Sequence, residues 1–289
     1  VLDESSLQAT EKVLEAVADL DEKDTVLFLL SGGGSALFEK PLVSLEELAD
    51  ISKQLLACGA DIVEINTIRK RLSAVKGGRF ALACAPAHVE SIILSDIIGD
   101  NPGMIASGPA CVDASTCEEA LELVDKYKLK LSDRALELLK TETPKELDNV
   151  KIMVTGGVSL LCQFAAEECE KYGYHPVILT DTLDCEAREA GWFMAAMARY
   201  RSGKGEKTAL IAGGETIVHL TGKGMGGRNQ ELALAAAEKI AGYDNITIIS
   251  VGSDGTDGPT DAAGGCVDGR SKSVLAEQGV KIYDVLREN

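Results

Sequence analysis

The stretch "VKIMVTGGVSLLCQFAAEECEKYGYHPVILTD", residues 150–181, decides the fold class. It opens as a β-branched, apolar run, turns through Gly156 and Gly157, and continues as a helix from about Leu160 to Tyr172. A second apolar run, "HPVILTD" at 175–181, closes it, before another helix over roughly 186–200. Strands alternating with helices through glycine turns indicate a mostly parallel sheet, because parallel neighbours need a helical crossover. The pattern recurs. "TVLFLL" (25–30) enters "SGGGS" (31–35) and then a helix announced by Ser44-x-x-Glu47, a capping-box spacing. "SIILSD" (91–96) opens a long loop that ends at a second box, Thr116-x-x-Glu119. "RNQELALAAAEKIA" (228–241) reads as helix and "ITIIS" (246–250) as strand. "TALIAGGETIVHLTG" (208–222) reads differently, as two short strands flanking Gly213-Gly214 in a hairpin-like excursion, with His219 on the second.

These elements predict an α/β protein of two α/β/α, Rossmann-like domains with mostly parallel sheets covered on both faces. The polar stretch "KTETPKELDN" (140–149), with Pro144 inside it, sets the expected boundary: one domain over 1–146, a second over 147–289. A length of 289 residues suits two domains. The formal charge of −17 leaves no basic footprint for nucleic acid or anionic lipid. An anionic substrate would need a local cluster of donors against that field. The eight cysteines are scattered, with no CxxC pair, which suits free thiols in a reducing cytoplasm. No signal peptide or apolar run of membrane-spanning length is present, so neither secretion nor a membrane is expected. A homo-oligomer stays open. The chain begins at Val1 rather than Met, as a fragment would.

Four glycine-rich loops stand at strand ends, where open α/β sheets gather ligands. "SGGGS" offers amides and two hydroxyls, from Ser31, Gly32, Gly33, Gly34 and Ser35, to a carboxylate or phosphate; a tight strand-to-helix turn is the plainer reading. "SDIIGDNPGMIASGP" (95–109) is too irregular for a simple connection; Asp96 and Asp100 can take a metal or a hydroxyl proton, or merely cap the loop. "GMGGRNQE" (224–231) puts Arg228, Asn229 and Gln230 in the first turn of a helix. Cations avoid that position unless an anion is the partner, though an ion pair with a nearby acid would also explain it. In "GSDGTDGPTDAAGG" (252–265) the acids do not fit the spacing of an EF-hand loop, and Asp254 with Asp257 either holds magnesium or builds Asx turns.

Rival signatures are weak. No P-loop pattern and no nucleophile elbow occur. Only His88, His175 and His219 are present, too few for a histidine-rich metal centre. "GKGMGG" (222–227) fits G-x-G-x-x-G, yet the run before it is polar on alternate positions, unlike the buried first strand of a dinucleotide unit.

Six stretches in order, "SGGGSALFEKP", "NTIRKRLSAVKGGRFA", "LSDIIGDNPGMIASGP", "GGETIV", "GKGMGGRNQELALA" and "GSDGTDGPTDAAGG", make the chain resemble the glycerate 2-kinase family with its MOFRL-type C-terminal domain. Members are often labelled hydroxypyruvate reductases. The resemblance covers nearly the whole chain. It implies two α/β domains with an interdomain cleft, lined by Asp96, Arg228 and Asp254. It also implies transfer of the ATP γ-phosphoryl group to the 2-hydroxyl of D-glycerate with a divalent metal, taken here as Mg2+. Arg71 stands where the family usually has His, and Cys111 follows "SGPA" where "SGPT" is usual. The family's N-terminal segment, with a Gly-Lys-Ala motif and a lysine thought catalytic, does not precede Val1. Its closing Asn-Asp-Ser-Tyr and Thr-Gly-Pro-Thr-Gly-Thr-Asn segments do not follow Asn289.

On this reading "SGGGS" and the turn at Ser107-Gly108-Pro109 cradle the glycerate carboxylate or a phosphate. Asp254, with Asp257, holds Mg2+ on the ATP phosphates, and Arg228 neutralises the transferring group. Asp96 takes the hydroxyl proton, with Glu215 as the weaker alternative, and Lys76 adds a second positive charge. Asn229 and Gln230 join the anion contacts. Two alternatives are an NAD(P)H-dependent hydroxypyruvate reductase and a non-catalytic small-anion binding protein.

Overall fold

A computed structural model describes residues 2–95 and 97–288, and the chain divides into two compact units, Val1–Gly157 and Val158–Asn289. In the first, α1 (Glu4–Val17) precedes β1 (Thr25–Leu30), and α2 (Gly34–Leu37) is a single turn inside the loop that follows. Then come α3 (Leu45–Ala57), α4 (Ile62–Arg71), α5 (Arg79–Ala83) and β2 (His88–Leu94). A long connection containing a 3-10 turn (Ile105–Ser107) leads to α6 (Cys117–Tyr127), α7 (Asp133–Leu139) and β3 (Val150–Gly156).

The sheet of this unit is wholly parallel, in the order β1-β2-β3. Its register pairs Val26 with Val89, Phe28 with Ser91 and Leu30 with Ile93 on one face. There Phe28 packs with Phe38 and Phe80 at centroid distances of 4.7–5.5 Å, over Val17, Val75 and Cys84. On the other face Leu27 and Leu29 are exposed. A separate helical core joins Ile51, Leu55, Ile68, Leu72 and Leu139, all fully buried, each worth about 1.5–3 kcal/mol of burial. A third cluster matters most for function. Leu30 and Ile93, at the strand ends, pack against Ile105 and Ala106, which pins the long connection to the carboxyl edge of the sheet.

The Thr116–Glu119 box forms in both directions. The Ser44–Glu47 box is only half made. Ser44 Oγ accepts the Glu47 amide, while Glu47 Oε1 takes the amide of Ser132 at 3.0 Å and so ties α3 to the start of α7.

The second unit begins with α8 (Val158–Lys171), β4 (His175–Leu183), α9 (Ala187–Ser202) and β5 (Thr208–Gly214). It continues with α10 (Arg228–Ile240), β6 (Thr247–Val251), β7 (Gly264–Asp268), α11 (Ser271–Glu277) and α12 (Ile282–Glu288). β4 and β5 pair parallel, whereas β6 and β7 pair antiparallel. Helices α9 and α10 press together through Ala187, Ala190, Ala195, Leu232 and Ala236. A side chain at Gly191 would collide with the Leu232 carbonyl, so small residues set this close approach.

The sequence boundary at 146/147 and the structural one at 157/158 differ for a reason. β3 hydrogen-bonds to β2, so the strand that opens the decisive stretch completes the first sheet, and only α8 and β4 begin the second unit. The hairpin expected over 208–222 does not form. After Gly214, residue Ile217 makes one isolated parallel bridge with Glu186, and His219 lies on no strand. The antiparallel strand β7 was not anticipated, because its "GGCVD" has little β-branched character.

Candidate active site

In the first unit a cavity of about 270 Å³ opens at the carboxyl edge of the sheet. Ser31, Gly32, Gly33, Gly34 and Ser35 form one wall, Met104, Ile105 and Ala106 another, and Ile62, Asn66, Arg69 and Ile97 complete it. The loop geometry requires glycine twice. Gly33 has φ +84°, in the left-handed region, and a Cβ on Gly34 would lie 2.8 Å from the Ala106 Cβ.

Beneath this loop lies a polar keel. The Lys76 ammonium, fully buried, donates to the carbonyls of Ser35 (3.0 Å), Ala106 (3.1 Å) and Phe38 (3.4 Å), and sits 3.6 Å from Glu39 Oε2. Burial pushes its pKa from the ordinary 10.5 down to about 8; Glu39 opposes the shift and the charge of Arg69 adds to it. Lys76 was expected to reach the ligand. Its amine is instead spent on main-chain carbonyls, so it shapes both walls from below. Glu39 Oε1 accepts from the Ser73 hydroxyl and the Lys40 amide.

The positive group that does reach the cavity is Arg69, which sequence reasoning missed. Its Nη2 donates to the Ser35 carbonyl at 3.1 Å and lies 3.8 Å from Glu39 Oε2, while its Nε is buried with no hydrogen-bond partner. Asn66, one turn earlier on α4, accepts the Ser107 hydroxyl at 2.8 Å and donates toward the Met104 sulfur. The available signal was their i, i+3 spacing, which puts both on one helix face. It was hidden because basic residues in a last turn normally just complement the helix dipole. Ser107 and Gly108 hold φ of +61° and +63°, and Ala106 of +50°. This run is held by Gly77 and Gly78 amides donating to the carbonyls of Ser107 and Gly108. Ser107 and Gly108 thus brace the wall of Met104, Ile105 and Ala106 from behind, with the Ser107 hydroxyl committed to Asn66. Asp96 lies outside the described residues.

In the second unit the GMGGRNQE and GSDGTDG loops meet. Asp257 is buried, and its carboxylate accepts from Asn229 (amide 3.0 Å, side chain 3.2 Å) and Gln230 (amide 2.8 Å, side chain 3.1 Å). The structure therefore gives Asp257 the capping of α10 in place of the expected magnesium ligation. Asn229 and Gln230 are spent with it, as Asn229 Oδ1 also takes the Ser250 hydroxyl and Gln230 donates to Thr260. Gly227 is explained by the same contact, since a side chain there would strike Asp257.

Arg228 and Asp254 are free of that scaffold. Arg228 is half-exposed and pairs with Glu215 at 2.7 Å, also donating to the Thr216 carbonyl. Asp254 is exposed. The Thr256 amide and hydroxyl hold its carboxyl below the usual range, with a smaller contribution from Arg228. Among the described residues no three His, Cys, Asp or Glu side chains converge as a metal cage. Magnesium needs none when phosphates complete its shell, and one exposed carboxylate such as Asp254 fits that arrangement.

Comparison with known proteins gives relatives named glycerate kinase and, at 39% and 38% identity over 97% of the chain, two from Agrobacterium vitis named putative hydroxypyruvate reductase. Residues 1–140 match a domain of unknown function, DUF4147, and residues 208–289 match the MOFRL family. The whole chain is 50% identical to D-glycerate 2-kinase of Thermotoga maritima, spanning 71% of that protein. It is 40% identical, over 99% of its length, to glycerate 2-kinase of Pyrococcus horikoshii, spanning 69% of it. The crystal structure of glycerate kinase from Thermotoga maritima superposes with a TM-score of 0.96, covering all of this chain and 71% of that one.

Proposed function

This chain belongs to the glycerate kinase family, and on that footing we propose that it transfers the γ-phosphoryl group of ATP to the 2-hydroxyl of D-glycerate, giving 2-phosphoglycerate. The observation that carries the reading is the 50% identity to D-glycerate 2-kinase along the full chain. Its support in the chemistry is a small cavity with backbone donors and an arginine, on a protein whose net charge of −17 would otherwise repel an anion.

Phosphoryl transfer asks the protein for positioning and charge neutralisation. The Ser31–Ser35 loop holds the acid's carboxylate or a phosphate, and the 107–109 turn braces the wall facing it. Asp96 takes the proton as the hydroxyl oxygen bonds to the γ-phosphorus and the bond to ADP breaks. Arg228 faces the charge on the moving group, and Glu215 orients its guanidinium. Asp254 is the carboxylate that would hold Mg2+, which supplies charge neutralisation on the phosphates when bound.

One assay with two substrate pairs tests this. ADP release that requires D-glycerate and Mg2+, with phosphorus NMR of a 2-phosphoglycerate product, is expected. NADH oxidation with hydroxypyruvate, indifferent to Mg2+, would replace the reading with a reductase.

A further inference from the structure

We propose that Arg69 is the carboxylate anchor of the first unit's cavity, binding a short 2-hydroxy acid through its guanidinium while Asn66 fixes the wall beside it. The inference rests on the glycerate-kinase reading and assigns within it which molecule the cavity takes.

Three observations converge. The first is charge. Among the described residues Lys76 and Arg69 share a single carboxylate, Glu39, at 3.6 and 3.8 Å, which leaves one positive charge over at the cavity floor. Lys76 cannot present that charge, because its ammonium is fully buried among three carbonyls. Arg69 lines the cavity and can. The second is unused valence. The guanidinium makes one hydrogen bond, to the Ser35 carbonyl, and its buried Nε has no partner. The Arg69 side chain as a whole is 21% exposed, so its remaining donors stay free for a charge-assisted bond to an anion. The third is size. At about 270 Å³ the cavity falls below the roughly 300–1,000 Å³ of pockets that enclose drug-sized ligands. A three-carbon acid fits within that volume. Ile62, Ile97 and Ile105 supply the apolar lining such a pocket uses around its few polar contacts.

The test is steady-state kinetics of the chain and its Arg69→Met and Arg69→Lys variants, with folding checked by circular dichroism. Loss of one charge-assisted contact of about 1.5–3 kcal/mol predicts a KM for D-glycerate raised about 10- to 150-fold in Arg69→Met. The KM for ATP is expected to stay within about threefold, and Arg69→Lys to fall between. A glycerate KM that hardly moves in folded Arg69→Met, or an ATP KM that rises in its place, overturns the assignment. If Arg69→Met does not fold, the parent decides. Glycolate should inhibit competitively against D-glycerate where ethylene glycol, which lacks the carboxylate, does not; equal potency overturns the anchor. If the parent phosphorylates no glycerate, the kinase reading fails by itself. Calorimetric titration with glycolate, comparing the parent with Arg69→Lys, then still reads the anchor: weaker binding by the variant supports it and unchanged binding removes it.

Discussion

The Oδ2 of Asp257 accepts the backbone amide of Gln230 at 2.8 Å, across 27 residues of chain. Helix α10 thus starts with a cap supplied from a distant loop, where Gly227 carries no side chain to do the work. Asp257→Ala is expected to leave two helix-start amides and the Asn229 side-chain donor unpartnered, lowering stability by about 2–4 kcal/mol. Urea unfolding followed by circular dichroism reads this. A loss under about 0.5 kcal/mol would mean that the cap is unimportant.

Arg228 behaves differently because its ion pair with Glu215 is half-exposed, and such pairs contribute about 0–1 kcal/mol. Arg228→Ala should therefore leave the melting temperature nearly unchanged while kcat/KM falls about 100- to 1,000-fold, the scale of one lost donor to a developing anion. A kcat/KM within threefold of the parent would remove Arg228 from the chemistry.

Lys76 gives a pH signature. In the folded chain it loses its proton near pH 8, in the unfolded chain near 10.5. Between those values the unfolded state binds more protons, so stability rises with pH; below about 8 both states are charged and the whole cost of burying the ammonium is present. The parent should gain stability relative to Lys76→Met from pH 8 to 10.5, by up to about 3 kcal/mol. A stability difference that is flat over this range contradicts the burial argument. The same deprotonation removes charge beside Arg69, so the KM for D-glycerate should climb above pH 8.

Gly34 tests the wall. With the Ala106 Cβ 2.8 Å and the Leu30 Cδ1 3.0 Å from the place of an added Cβ, Gly34→Val must push the loop off the 3-10 turn. The expected readout is a glycerate KM raised at least tenfold with the ATP KM little changed. Equal effects on both would show that the loop serves the nucleotide as well.

Much was legible in the sequence because it is written locally. Strands such as "TVLFLL" and the long alanine-rich helix at 228–240 follow from side-chain pattern and turn residues over a few positions. The family follows from six short motifs. What each polar side chain does was not legible, because burial and partnership depend on residues far away in the chain. Asp257 and Asp254 stand three positions apart in one glycine loop, yet one is buried under a helix and the other faces solvent. Lys76 was expected at the ligand and Arg69 was not considered, yet the carbonyls of Ser35, Phe38 and Ala106 close over the lysine and leave the guanidinium at the cavity wall. Sequence by itself determined the α/β class, most of the elements and the family. Only the tertiary structure decided which charges are consumed by the scaffold and which remain for a ligand, since that depends on solvent access and on the count of nearby partners, and neither is a property of local sequence.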